Sequence, residues 1–254
     1  MELSLQTTIF LGFSGAVAGF VDSIAGGGGL IALPALLSAG IPPHLALGTN
    51  KMQGSFGTFT ATINYSRNNL VRLRDTLPGI LYTAIGAATG TIIIQHLSAD
   101  FLRYLIPILL LAVFLYMLVS PQLGETDTRP ILSPHIFYGL MGLGLGFYDG
   151  FFGPGTGSFW MVGFVLLLGI NLKKATAHTK IMNFTSNIVA LFFFVMGNQV
   201  IFHIGLVMGI GQIIGAFAGS NLVVLKNSRL VRIFLLTVIA LTVLKLLVTT
   251  YLNH

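Results

Sequence analysis

Apolar and polar positions alternate along this chain in long blocks rather than in short periods. In the first half, apolar segments run over about 5–22, 28–40, 45–66, 75–97 and 101–119. Stretches such as "PGILYTAIGAATGTIIIQHL" (78–97), "FLRYLIPILLLAVFLYMLV" (101–119) and "LVRIFLLTVIALTVLKLLVTTYL" (230–252) approach the roughly 20 residues that cross a bilayer as a helix. The segment at 28–40 is too short to span and suits a re-entrant or broken helix. Polar residues interrupt the apolar blocks at four places: "DSIAGGGGL" (22–30), "LGTNKMQGSFGT" (47–58), "YDGFFGPGTGS" (148–158) and "TAHTKIMNFTSN" (176–187).

These interruptions recur at a fixed distance. Asp22, Gly26 and Gly28 match Asp149, Gly153 and Gly155 at an offset of 127. Gly40-Ile41, Lys51, Ile85-Gly86-Ala87, Gly90 and Arg103 match Gly169-Ile170, Lys180, Ile214-Gly215-Ala216, Gly219 and Arg232 at an offset of 129. An offset held over so many positions predicts a duplicated unit: a first transmembrane repeat over 1–119, a polar cytoplasmic linker over 120–135 and a second repeat over 136–254. The expected fold is all-α, a polytopic membrane protein with two repeats, each a glycine-broken helical hairpin plus three transmembrane helices.

Loop charge sets the orientation. "RNNLVRLR" (67–74) carries three arginines and its counterpart "MGNQVIFH" (196–203) none, whereas "KNSRLVR" (226–232) carries three basic residues and its counterpart "LSADFLR" (97–103) one. Positive charge collects on the cytoplasmic side, so matching loops lie on opposite faces and the repeats are of inverted topology, with both chain ends outside.

Composition agrees with this picture. Of 254 residues, 54% are hydrophobic and 8% charged, against about 25% charged in soluble domains. Lipid is therefore the expected solvent and the cell membrane the expected location, the inner membrane of a bacterium. The formal charge of +6 sits in loops and points to topology rather than to nucleic acid. Without cysteine, disulfide and thiolate chemistry is excluded. "MELSLQTTIF" lacks the basic start of a signal peptide, so the first helix is expected to be retained. No Walker A run is present, so the chain carries no ATP motor of its own, and no cofactor is expected.

The interruptions are the candidate site. Backbone freed by a break near mid-membrane must be buried in protein or line a wet cavity. Helix N-termini after Gly26, Gly27, Gly28 and Gly29, and after Gly153, Gly155 and Gly157, would offer N–H donors to an anion; alternatively these glycines let helices turn and pack. Lys51 and Lys180 stand within apolar segments, where an ammonium usually faces a cavity or a partner. Thr176, Lys180, Asn183 and Asn187 share one helical face, as do Lys51, Gly54 and Thr58. A cation among hydroxyl and amide donors suits an anion; snorkelling, or pairing with Asp22 or Asp149, is the alternative. Asp22 and Asp149 precede the breaks and either accept backbone N–H bonds or take part in proton coupling. His178, two residues before Lys180, is a candidate coupling group. Trp160, Tyr65 and Tyr251 read as packing or belt aromatics.

At "GFSGAVAGFVDSIAGGGGLIALPALLSAGIPPHLALGTNKMQGSFGTFTATINY" and "GLGFYDGFFGPGTGSFWMVGFVLLLGINLKKATAHTKIMNFTSN" the chain resembles the sulfite exporter TauE/SafE family, also called the toluene sulfonate uptake permeases. The glycine-rich break followed by a threonine-and-lysine segment occurs in both halves, as Thr49-Asn50-Lys51 and as Thr179-Lys180, with different spacing. The resemblance implies a permease for small sulfur-containing anions such as sulfite or organosulfonates, without a cofactor and not an enzyme. The resulting expectation is a secondary transporter working by alternating access. Lys51 and Lys180 would hold the charge, Asn50, Asn183 and Asn187 would donate hydrogen bonds, and Thr49 and Thr179 would stand beside them. An anion channel, or less readily a membrane-embedded non-transport protein, is the rival. Substrate, direction, coupling ion and oligomeric state are left open by the sequence.

Overall fold

Helix starts and stops follow local chemistry. Ser4 accepts the Thr7 N–H at 3.2 Å and opens α1, Leu5–Ala25. It ends at Gly26, whose φ of +73° places it in the left-handed region that glycine enters freely, with its N–H on the Asp22 carbonyl at 2.8 Å. Next come α2, Gly29–Ser38, and α3, Pro43–Arg67, which begins on a proline at its first position. A 3₁₀ turn at Leu73–Thr76 leads into α4, Leu77–Gln95, followed by α5, Ala99–Val119. In the second half lie α6, Pro134–Phe151; α7, Thr156–Leu168; α8, Leu172–Met196; and α9, Phe202–Leu225. This computed structural model describes residues 4–119 and 126–225. The apolar run at 230–252, Tyr251, the whole basic loop at 226–232 and part of the expected linker lie outside the described residues.

Among the described residues all regular structure is helical. Among the described residues five helices are long and apolar enough to cross a bilayer: α1, α4 with its leading turn, α5, α8 and α9. The chain is a multi-pass membrane protein. Leu81, Ile108, Ile214 and Phe217, each more than half exposed, face where lipid would be. The 25-residue α3 is long enough to cross but carries Asn50, Lys51, Gln53, Ser55 and Thr58, all buried, so its polar face turns inward. The hairpin helices α2 and α7 have 10 and 13 residues and do not span.

Close backbone contacts assemble these rods. Along α1 and α9 a side chain at Gly15 would run into Met208, one at Gly19 into Gln212 and one at Gly215 into Ala16 and Phe20. The contacts rise together in number, so the two helices run parallel. The same arrangement recurs where Gly142 and Gly146 meet Tyr82 and Thr83, and Gly150 meets Ala87, along α6 and α4. Small residues let helices approach closely where lipid offers no hydrophobic drive to association. The packing is reciprocal: α1 lies on α9 as α6 lies on α4, and α3 touches α8 between them. In that central pair Gly54 meets Asn187, the Phe59 and Phe184 rings lie tilted with centroids 5.2 Å apart, and Gly48 meets Phe194. Rising numbers on α3 face falling numbers on α8, so these two helices at matching sequence positions run antiparallel.

Two apolar clusters flank the centre. One gathers Leu11, Leu30, Leu33, Leu110 and Phe152; the other gathers Phe137, Trp160, Phe164 and Met182. Trp160 is fully buried and stacks on Phe164 at 5.3 Å. Tyr65 is also buried, with its hydroxyl on the Ser23 carbonyl at 2.7 Å; both are packing rather than belt aromatics. The described end of the expected linker is tied down separately. Asp127 accepts the Asn171 N–H at 2.7 Å and the Lys174 ammonium at 2.6 Å. The Lys174 hydrogen bond, with that of Asn171, holds the Asp127 carboxyl below its ordinary value.

Candidate functional site

An aspartate in the last turn of a helix faces the negative end of the dipole and a set of unbonded carbonyls. Asp22 ends α1 and Asp149 ends α6, and each meets the same answer from the opposite half. The Lys51 ammonium, on α3, donates to Asp149 Oδ1 at 2.6 Å and to the Asp149 carbonyl. On α8, the Lys180 ammonium donates to Asp22 Oδ2 at 2.9 Å and to the Asp22 carbonyl. Each lysine therefore supplies both a counter-charge and a C-terminal cap across the halves. Side-chain exposure is 2% and 5% for the first pair, 0% and 14% for the second. Charges this deeply buried stay ionised only when paired.

The two pairs differ in their surroundings. The Ser186 hydroxyl donates to Asp149 Oδ2, so that carboxylate is held on both oxygens. Asp22 Oδ1 instead accepts the Gly28 N–H at a longer 3.3 Å. Between the pairs lies a cavity of about 390 Å³, counting its open mouth. Asp22, Lys51 and Asp149 line it, with Asn50, Gln53, Gly54, Thr58, Asn183, Asn187 and Gln212 and the backbones of Gly26, Gly28, Gly29 and Gly153. Its wall is polar although the rods around it are apolar.

Hairpin tips from the two halves meet at this cavity. Ser158 Oγ donates to the Ala25 carbonyl at 2.7 Å, and Gly29 packs against Pro154. Gly26 and Gly157 touch backbone to backbone, so that a side chain on Gly157 would also come within 2.9 Å of the Asn183 amide nitrogen. Many tip amides close their own turns: Leu30 and Ile31 donate to Gly27 and Gly28, and Thr156 and Ser158 to Gly153 and Gly155.

Several residues singled out from the sequence lie off the cavity wall. Thr49 accepts the Ile201 N–H at 3.0 Å and fastens the start of α9 to α3. Thr179 and Lys180 are fully buried, the latter behind Asp22. Gly27, Gly155 and Gly157 support the tips without lining the space. His178 packs its ring 5.3 Å from Phe164 in the aromatic cluster, away from the cavity. Conversely, Ser186, Gln53 and Gln212 were missed. A carboxamide chain runs from Gln212 Nε2 to Gln53 Oε1 at 2.5 Å and from Gln53 Nε2 to Asn50 Oδ1 at 2.8 Å. Gln212 Oε1 and Asn183 Oδ1 have no partner. A lone glutamine within the apolar α9 was the available signal, because a buried amide in a span is expensive unless used.

Chemically, the site offers two ammoniums, two carboxylates and a ring of carboxamides and one hydroxyl. Its formal charge is zero while both carboxylates are ionised. Lys51 stands on the wall among carboxamides, each of which carries both an acceptor oxygen and a donor nitrogen.

The family model for "Sulfite exporter TauE/SafE" matches residues 11–246. A "Probable membrane transporter protein YfcA" of Escherichia coli strain K12 is 45% identical over 249 residues, covering 97% of this chain and 93% of that protein. The "Probable membrane transporter protein ORF9" of a Sinorhizobium species is 44% identical over 237 residues, with 93% and 91% covered. A "Probable membrane transporter protein" of Haemophilus influenzae is 44% identical over 232 residues, with 91% of each covered.

Proposed function

The chain belongs to the sulfite exporter TauE/SafE family, and from that premise we propose that it is a secondary carrier for small sulfur-containing anions such as sulfite or organosulfonates. The observation that carries the proposal is the polar cavity enclosed by crossed lysine–aspartate pairs where the two glycine-rich tips meet. Membrane carriers built from repeats place their substrate sites at broken helices near the midplane, where repeats face each other. Lys51 on the wall supplies the charge for the anion. Asn50, Asn183 and Asn187 supply hydrogen bonds, and Gln53 and Gln212 complete the amide ring.

The two repeats are of inverted topology in this reading, supported by loop charge and by the antiparallel course of α3 and α8. Transport proceeds by alternating access, the halves rocking about the cavity. Proton coupling fits the same site: a proton on Asp22 or Asp149 gives the otherwise neutral cavity a net positive charge as the anion arrives. The basic loops and Lys173-Lys174 lie on the cytoplasmic side.

Purified protein in liposomes tests the proposal. Uptake of labelled sulfite or of an organosulfonate is to saturate and to show counterflow, which a channel does not. The variant K51M/D149N removes both charges together and is to remain inserted while losing uptake; K180M is to lose it as well. Wild-type uptake by correctly inserted K51M/D149N removes Lys51 from the mechanism.

A further inference from the structure

The cavity does not treat the two halves alike. Asn50, Lys51, Gly29 and Gln212 line it. Their counterparts at the same offsets, Thr179, Lys180, Thr156 and Thr83, do not. All four counterparts are polar and at most 1% exposed; Lys51 and Gln212 are nearly as buried, at 1% and 2%, so it is the cavity wall and not burial that separates the two sets. Thr179 Oγ1 has no partner. By contrast, the centre is shared: Asp22 and Asp149, Gly26 and Gly153, Thr58 and Asn187 line the cavity from both halves. The space therefore has a common middle and one wing on the side of Lys51, and on the other side the Lys180 ammonium is closed off behind Asp22.

The scaffold around it is indifferent to which half is which. α1 lies on α9 as α6 lies on α4, through glycine contacts at matching positions such as Gly19 with Gln212 and Gly146 with Thr83. An arrangement with the roles of the halves exchanged uses the same kinds of contact. Packed interfaces of this type switch between discrete arrangements rather than deform continuously.

We infer that Lys180, with Thr179, Thr156 and Thr83 as the counterparts of the lining residues Asn50, Gly29 and Gln212, is the anion-binding wing of a second conformation, and that the anion passes from Lys51 to Lys180 in each cycle. The inference rests on the carrier reading above. Lys51 serves the substrate in the arrangement described here, and Lys180 serves it in the exchanged one, where Asp149 screens Lys51 as Asp22 now screens Lys180. No bond is made or broken; the ammoniums trade a carboxylate partner for the anion and back.

The natural chain has no cysteine, so single-cysteine variants of the full-length protein test this directly. N50C and T179C are compared in right-side-out and inside-out membrane vesicles with a membrane-impermeant trimethylammonium methanethiosulfonate. N50C is to react from one face. T179C is to react from the opposite face at about a tenth of the rate or below, since a minor conformation is populated at roughly 10% or below. Reaction of T179C from the same face as N50C, or from neither, overturns the handover. Should T179C fail to insert, Q212C against T83C is to give the same opposed pattern, and the same failures apply. Counterflow by the wild type in liposomes is read in parallel. With counterflow present and both cysteines sharing one face, only the handover falls; with counterflow absent, the carrier reading falls and takes the handover with it.

Discussion

Removing the charge of Asp149 while keeping its shape isolates what the Lys51 pair contributes. In D149N the Lys51 ammonium keeps the backbone carbonyl of residue 149 and an amide oxygen in place of Oδ1, but loses its counter-charge at 2.6 Å. At an effective dielectric near 20, two unit charges at that distance attract by about 6 kcal/mol before desolvation is counted. Breaking one partner of a buried pair typically costs about 3–5 kcal/mol, because the remaining charge is stranded. The retained carbonyl places D149N near the lower end, about 3 kcal/mol. K51M/D149N strands nothing: Met fills the stem volume, and the amide oxygen of Asn still accepts the Ser186 hydroxyl. That double variant is to lie within about 1 kcal/mol of the wild type, giving a coupling energy of at least about 2 kcal/mol. The single tryptophan, Trp160, is buried against Phe164 and reports unfolding in mixed micelles by its fluorescence. A D149N loss under about 1 kcal/mol, or losses from K51M and D149N that simply add in the double variant, would refute the argument that the pair is coupled and buried.

Three further outcomes follow from the same geometry. G157A forces a methyl group into the Gly26 backbone and toward the Asn183 amide, and is to abolish uptake with lowered thermal stability; uptake at wild-type rate would show that the tips need not touch. G215A drives a methyl into the backbone of α1 at Ala16 and Phe20 and is to lower stability by about 1–3 kcal/mol, read by the same fluorescence. Asp127 has its folded value lowered by Lys174 and Asn171, so its contribution is complete above the ordinary carboxylate value and is lost as pH falls through the lowered one. Because the pair is half exposed, that contribution stays under about 1 kcal/mol and shrinks with salt; D127N is to flatten the acid limb of the stability profile by that amount, and an unchanged profile would dismiss the pair.

Much of the fold was legible because lipid imposes length. The expected segments at 5–22, 28–40, 45–66, 75–97 and 101–119 became helices at Leu5–Ala25, Gly29–Ser38, Pro43–Arg67, Leu77–Gln95 and Ala99–Val119. The glycine breaks were legible because so many adjacent glycines disfavour helix. Pairing was harder. A sequence places Lys51 on a helical face but holds no period that links it to Asp149, 98 positions on. Ser186 drew no signal from the matching offsets, since the position 129 before it is Gly57. Gln212 stood alone among apolar residues, and its partner Gln53 lies 159 positions away. His178 drew notice through proximity to Lys180 along the chain, yet on a helix a neighbour two positions away points to another face.

The crossed ion pairs have a consequence for how the chain is made. Lys51 emerges from the ribosome 98 residues ahead of its partner, and Asp22 waits 158 residues for Lys180. At synthesis rates of about 5–20 residues per second, the bare ammonium endures about 5–20 s and the bare carboxylate about 8–30 s. During that interval the amino-terminal half holds charges that hydrocarbon will not accept. It is therefore bound to linger at the insertion machinery or beside an assisting factor, and a nascent chain stalled before residue 149 should be cleared by membrane proteases rather than accumulate.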